Sequence, residues 1–400
     1  MNPLRAVAMG AVLLISGFTD AQVTFTKIAD QGTPIPGGAG TFTGFAHPAL
    51  TGGRLLFAAT GIGQQGLYEH GRTGLSVIVD RGTLVPGTQS HFYEASAPAV
   101  DGDHFAFKGY YSQTGIFSNL GGLHAVITTG TLIQTPIGPR QISSVGEPSV
   151  AGADVTTFIA CTDYQAILLA RPNETLIVAD SAPGSQFSGV GQPALGADFT
   201  AFLGCGAHGS GVFRARQGEI AALVRSGDPV PGWDGLFTSF TYLTARGDEI
   251  AFLGRAESAP EFRTGIYAYR AGRLELVADT GTQIPGTTAV FEDFSNYGQP
   301  SVGDGTVAFG AGGDGIGGLY VQREGELLKI LDSRDILDGK RVRHVSLGPY
   351  GLYADDLAFV VMFDDMSSAV YVARIPEPST APVLVVLAGL LMLRRGRLPV

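Results

Sequence analysis

Between residues 22 and 374 the chain alternates short apolar runs with polar, glycine-rich breaks, and the runs fall into a cycle. One run is closed by a phenylalanine at Phe57, Phe107, Phe158, Phe202, Phe252, Phe309 and Phe359, roughly fifty residues apart. A second run follows about ten to fifteen residues later, with an aromatic at Tyr68, Phe117, Phe213, Tyr267, Tyr320 and Tyr371 and Leu168 in the third cycle. A third run follows, "LSVIVD", "LHAVIT", "TLIVAD", "IAALVR", "LELVAD" or "LLKILD". Pro48, Pro98, Pro148, Pro193, Pro300 and Pro349 open a fourth, before each Phe except Phe252. Runs this short, punctuated by Gly and Pro with no helix-period segment between them, predict four strands per cycle.

Seven cycles of four antiparallel strands predict an all-β, seven-bladed β-propeller. The Phe run is nearly continuous in apolar residues, as expected of a strand covered on both faces by neighbouring blades. The Pro run suits the axial edge, because Pro offers no ladder donor. The order of a Pro-led strand, an Asp-Gly turn, an "IAF"-like strand and an "IY"-like strand resembles the blades of TolB-type propellers. That resemblance implies a fold and no activity. The cycle is also cut out of phase at its two ends. "VTFTKIAD" is an outer strand without a blade, and "SAVYVAR" is an inner strand without an outer partner. Pairing Phe25–Asp30 with Ala369–Arg374 is therefore expected to complete the seventh blade and remove two exposed edges. Residues 22–374 are expected to be one domain, since each blade packs only on its neighbours.

The flanks predict where the chain goes. Arg5, the apolar run Ala6–Phe18 and the small residues Thr19 and Ala21 form a signal-peptide pattern over residues 1–21. A core helix or a retained anchor is the other reading, though the run is short for a bilayer span. At the far end, residues 375–400 carry Pro376-Glu377-Pro378, an apolar stretch, and Arg394, Arg395 and Arg397. This tail resembles the PEP-CTERM sorting signal. The resemblance implies an apolar sorting helix held transiently in the inner membrane of a Gram-negative host and processed by an exosortase. It also implies delivery to the cell surface or exterior, in company with exopolysaccharide production. The Arg cluster keeps its end cytoplasmic and leaves the Pro-Glu-Pro motif outside. A plain single-span anchor is the other reading, and the chain departs from the family pattern by ending Leu398-Pro399-Val400 after the arginines.

Composition narrows the partners. Charged residues make up 16% of the chain and the net charge is −10, which opposes a nucleic-acid phosphate backbone and favours cationic or neutral ligands. No nucleophile elbow, zinc-protease pair, phosphate loop or EF-hand series occurs in the sequence. Gly-x-Gly-x-x-Gly strings at Gly61–Gly66, Gly204–Gly209 and Gly310–Gly315 recur just after the repeat Phe, where they predict hairpin turns and not dinucleotide sites. Asp30, Asp80, Asp180, Asp279 and Asp332 end the outer runs and are expected to fix the turn to the next blade, with a calcium ring as the alternative. The seven histidines lack metal-ligand spacing, and neither a metal nor a cofactor is expected. Cys161 and Cys205 stand at matching places in adjacent blades, where an oxidising compartment allows a disulfide if the geometry does. Trp233, in "PVPGWDGLF", is either a loop aromatic that stacks on a ligand or one that packs on its blade. The expected function is non-catalytic binding of glycan or protein at the cell surface. A glycan-cleaving enzyme with its polar groups on the axis is the alternative, and a passive coat is the third.

Overall fold

A computed structural model describes residues 22–376. The leader over 1–21 and the tail residues Glu377, Pro378, Arg394, Arg395 and Arg397 lie outside the described residues. Among the described residues every regular element is a strand, and Thr24–Ile375 forms a compact unit.

Six sheets follow one another along the chain, with second strands at Arg54–Gly61, His104–Tyr110, Asp154–Ala160, Thr200–Gly206, Glu249–Ser258 and Thr306–Gly313; five are four-stranded, and in the third blade the inner strand is split into Ser144–Val145 and Ser149–Ala151. The seventh is built from both ends. Lys340–Tyr353, Asp356–Phe363 and Ser368–Arg374 pair in sequence, and Thr24–Asp30 adds as the outer strand. Phe25 faces Ala373, Thr26 faces Val372 and Asp30 faces Ala369, which is the closure expected from the cut cycle. The Phe25 ring stands edge-on to Phe359 at 6.3 Å. Lys27 bridges Asp30 and Asp338, both at 3.1 Å. The added strand is thus tied by ladder, ring and charge.

The repeat's two aromatics are cross-strand partners. Phe57 faces Tyr68, Phe107 faces Phe117, Phe202 faces Phe213, Phe252 faces Tyr267, Phe309 faces Tyr320 and Phe359 faces Tyr371. Their centroids lie between 5.6 and 6.2 Å apart. A further ring, not singled out by the repeat, closes five of the six clusters: Phe42, Phe92, Phe187, Phe237 and Phe291 stand edge-on to the second aromatic at 4.8 to 4.9 Å. Such pairs contribute about 0.5–1.5 kcal/mol each beyond their buried area.

The third blade departs from the sequence reading by one residue. Thr157, not Phe158, faces Leu168 and occupies the buried marker position, while Phe158 faces Ile167 and is only partly buried. With a side-chain period of two, one step moves a residue to the opposite face of the sheet. Pro148 and Pro300 open a strand as expected, directly before Ser149–Ala151 and Ser301–Gly303, but the other inner prolines do not. In several blades they lie inside the inner strand at a register shift, between Ala46 and Ala49, Ser96 and Ala99, and Leu347 and Leu352. A proline removes one ladder donor, and a bulge is where a strand tolerates that loss. A two-stranded hairpin, Leu132–Thr135 with Gly138–Gln141, joins the second and third blades, where other connections carry a single bridge such as Pro34 with Thr41 or Leu84 with His91.

The outer-strand aspartates cap turns. Asp30, Asp80, Asp180, Asp279 and Asp332 each accept, through Oδ1 at 2.9 Å, the N–H of the residue two positions on. Where Arg225 breaks the series, Asp228 supplies the carboxylate from three residues downstream and accepts the Arg225 N–H at 2.7 Å. The Gly-rich strings are hairpin turns as expected, with Gly63, Gly209 and Gly315 at positive φ.

Candidate functional site

The axis is where seven inner strands converge, and here it is closed. Arg246 ends the inner strand of the fifth blade, Leu236–Arg246, and its guanidinium donates to backbone carbonyls of three other blades. The acceptors are Leu50 and Val100, both at 3.2 Å, and Leu352. Its carbons lie against Gly303 of the sixth blade, and its charge lies over the Tyr353 ring at 5.4 Å. Burial pulls the Arg246 pKa down from its ordinary value, opposed by Asp101 and by nearby tyrosines. The second plug is Tyr350 of the seventh blade, which packs in the hydrophobic cluster of the first three blades. Burial pushes its hydroxyl up to about 12. The two innermost backbones also touch, since a Cβ on Gly348 would stand 2.5 Å from the Pro48 carbonyl.

Three or four residues upstream of the Arg246 end, the inner strands bulge. His47, Ala97, Gln192 and Tyr242 occupy equivalent bulge positions, all with φ between 36° and 53°. Positive φ is uncommon for residues with a side chain, and bulges with this backbone re-aim side chains. A cavity of about 300 Å³ opens there. Glu147, Phe158, Gln192, Tyr242, Gln299 and Tyr350 line it. Gln192 Nε2 donates to Gln299 Oε1 at 2.8 Å and to the Leu243 carbonyl at 3.3 Å. Gln299 Nε2 in turn donates to Glu147 Oε2 at 3.3 Å. Side chains from the third, fourth and sixth blades are thereby joined into one polar chain, floored by aromatics. The arrangement suits holding a polar ligand.

A larger groove of about 680 Å³ runs between the third and fourth blades beside Leu176, Ile177, Phe199 and Ile220. The arginines at its edge are already neutralised, Arg171 by Asp154 and Glu174 and Arg216 by Asp198. Its charged groups are spent on one another and no chain of polar side chains crosses it, so the axial cup is the better candidate.

The residues singled out from sequence fall elsewhere. Trp233 does not line the axial cavity; it packs partly buried against the core of the fourth and fifth blades. The Arg263 guanidinium covers its ring at 4.9 Å and is itself held by Asp279 at 3.0 Å. Cys161 and Cys205 are both free, the first buried and the second exposed. Their apparent equivalence fails with Phe158: counted from Thr157, Cys161 is one position farther on than Cys205 is from Phe202, and it falls just past the end of the strand Asp154–Ala160, whereas Cys205 lies within Thr200–Gly206. Pro376 is the last described residue. Among the described residues no group of three or more His, Cys, Asp or Glu is placed to hold a metal ion.

A family model described as a family of unknown function, DUF7453, matches residues 19–346. No curated protein matches the chain. Among solved structures, the β-propeller domain of the Trilobed protease from Pyrococcus furiosus aligns with a TM-score of 0.54 at 11% identity, over 86% of this chain and 100% of that one. The acylaminoacyl peptidase of Pyrococcus horikoshii aligns at a TM-score of 0.51 and 12% identity, over 88% of this chain and 53% of that one. A prolyl endopeptidase aligns at a TM-score of 0.47 and 14% identity, over 88% of this chain and 51% of that one. This chain thus spans about half the length of either peptidase. At such identities the likeness concerns the propeller fold and not its chemistry.

Proposed function

Because this chain belongs to DUF7453, a family of unknown function, we propose its role from its own architecture: an exported, exosortase-processed surface or matrix protein whose propeller binds extracellular polysaccharide without cleaving it. The observation that carries the binding half is the axial cup, where amides, a carboxylate and aromatic rings from separate blades meet on a rigid plugged ring. Rigid scaffolds that hold a few polar groups over an apolar floor are what small-ligand sites require. The export half is supported by the leader over 1–21 and by Pro376-Glu377-Pro378 followed by the apolar stretch and Arg394, Arg395 and Arg397.

The lining of the cup also weighs against cleavage. Glycoside hydrolysis ordinarily uses two carboxylates facing each other across the bond, about 5–9 Å apart. The cup is lined by one, Glu147.

Incubating the purified chain with extracellular polysaccharide tests the binding half. Retention without shortening of the polymer is the expected result; shortening supports an enzyme instead, and neither leaves a passive coat. Replacing Pro376, Glu377 and Pro378 by alanine tests the export half. The variant is expected to accumulate uncut in the inner membrane, whereas unchanged release contradicts exosortase processing.

A further inference from the structure

We infer that the axial cup takes an amino sugar, binding the free ammonium group of a hexosamine at Glu147 and its hydroxyls at Gln192 and Gln299. The inference rests on the reading of the propeller as a polysaccharide binder and names the class of sugar.

Glu147 is exposed, and among the described residues its carboxylate accepts a single hydrogen bond, from a neutral amide. Among the described residues no Lys, Arg or His pairs with it, whereas Asp154, Asp198, Asp355 and Asp356 of the inner turns each have an arginine partner. An uncompensated carboxylate inside a concave wall favours a cation, and the net charge of −10 adds a field of the same sign. Phe158, Tyr242 and Tyr350 line the same cavity. An ammonium drawn to Glu147 therefore meets aromatic rings, whose faces attract cations and whose edges pack on a sugar's C–H surface.

The amides supply the rest of the recognition. Gln192 directs its donors to Leu243 and Gln299, so that its own carbonyl oxygen is without a donor among the described residues. Gln299 keeps one N–H beyond the bond to Glu147. An acceptor and a donor side by side match neighbouring hydroxyls of a pyranose. A lone lysine side chain would use the carboxylate and the rings but leave the amides without a ligand partner.

The cup also coincides with the places where the repeat is broken. The position after the marker holds Ala58, Lys108, Leu203, Leu253, Gly310 and Val360 in the other blades; the aromatic Phe158 stands there in the third alone. Tyr242-Leu243 stands where other blades carry a residue before proline. Local departures from an otherwise consistent pattern are expected at sites shaped for something other than folding.

Calorimetric titration of the purified full chain at low ionic strength with four probes tests this: a glucosamine trimer, an N-acetylglucosamine trimer, cellotriose, and N-acetyl-lysine amide. The glucosamine trimer is expected to bind about tenfold or more tightly than the other three, a preference that weakens with added salt. Glu147→Gln is expected to abolish that preference while the thermal midpoint stays unchanged, and Gln299→Ala is expected to weaken all sugars. Equal binding of the three trimers, unaffected by Glu147→Gln, overturns the ammonium assignment but leaves polysaccharide binding standing. Lysine amide binding as tightly as the glucosamine trimer overturns the sugar assignment. If no trimer binds while whole polysaccharide is retained, the cup is not the site; if polysaccharide is not retained either, the binding function itself falls.

Discussion

The guanidinium of Arg246, on the fifth blade, donates to the carbonyl oxygen of Val100, on the second, across 3.2 Å. The same group reaches Leu50 and Leu352, so one side chain ties the first, second, fifth and seventh blades together at the axis. Removing it leaves three carbonyls buried without that donor and opens space along the axis. Arg246→Ala is expected to lower unfolding stability by about 3 kcal/mol, and Arg246→Lys to recover only part, because an ammonium cannot span three splayed acceptors. Chemical denaturation of both variants checks this.

The ring clusters inside the blades predict a second pair of effects. Phe92 is buried edge-on to Phe117 at 4.8 Å, and Phe92→Ala is expected to cost about 3–5 kcal/mol, the range for emptying a buried aromatic site. Gly109→Ala is expected to destabilise by overpacking, since its Cβ would stand 2.6 Å from Phe92 and 2.8 Å from Phe117. The double variant is expected to be less damaged than the sum of the two, as the smaller residue makes room for the added methyl; denaturation midpoints of all three decide it.

Two sets of buried acids set the pH limits. Burial pushes the Tyr68 hydroxyl up to about 12 and raises those of Tyr267 and Tyr320 as well. The unfolded chain loses these protons near pH 10 while the folded one keeps them, so stability is full below about pH 10 and falls as pH rises beyond it. Asp332 works in the opposite direction. Burial pushes its carboxyl up, but hydrogen bonds from Arg334 and the charge of Lys329 outweigh it and hold the group below its ordinary value. Its contribution is present above about pH 4 and is lost as pH falls through the lowered value. Thermal midpoints between pH 2 and 12, with tyrosinate absorbance followed alongside, are expected to fall at both ends, most tyrosines ionising together with unfolding at the upper one.

The thiols give a compact check on the third blade. Cys205 is exposed and Cys161 buried, with burial raising the Cys161 pKa. Ellman titration is expected to find one reactive thiol in the native chain and two in denaturant. No reactive thiol in either condition would mean the two are bonded, and would contradict the placement of both side chains.

The architecture was legible because each blade repeats the same solution to the same burial problem. Phe57 and Tyr68 announce two adjacent strands wherever their counterparts recur, and the cut at "VTFTKIAD" announces how the ring closes. In the third blade Thr157 and Phe158 are neighbours and the sequence pattern points to the aromatic; only the pairing of Thr157 with Leu168 shows which one holds the marker position. Phe42 and its counterparts do not stand out in the pattern because each lies about fifteen residues before its marker, across a bulge that breaks the alternation. The cup was illegible for a stronger reason. Glu147, Gln192 and Gln299 each precede a repeat proline and Tyr242 holds the same place in the fifth blade, but they sit on four blades with no chemistry in common at that position, and come together only when the inner strands converge and bulge. Arg246 reads in the sequence as an ordinary surface charge in an Arg-Gly-Asp turn.

Closure of the ring by the first strand underlies the plugged axis, the cup and the order of all seven blades, and a designed cross-link measures it directly. Thr26 and Val372 are paired across the seam, so Thr26→Cys with Val372→Cys, in a background of Cys161→Ala and Cys205→Ser, places two thiols on facing positions. On oxidation the chain is expected to form an intramolecular disulfide, remain monomeric, and gain about 4 kcal/mol of stability from closing so long a loop. Thiols that stay reduced under the same oxidation, or that link only between molecules, would contradict a ring shut by residues 24–30.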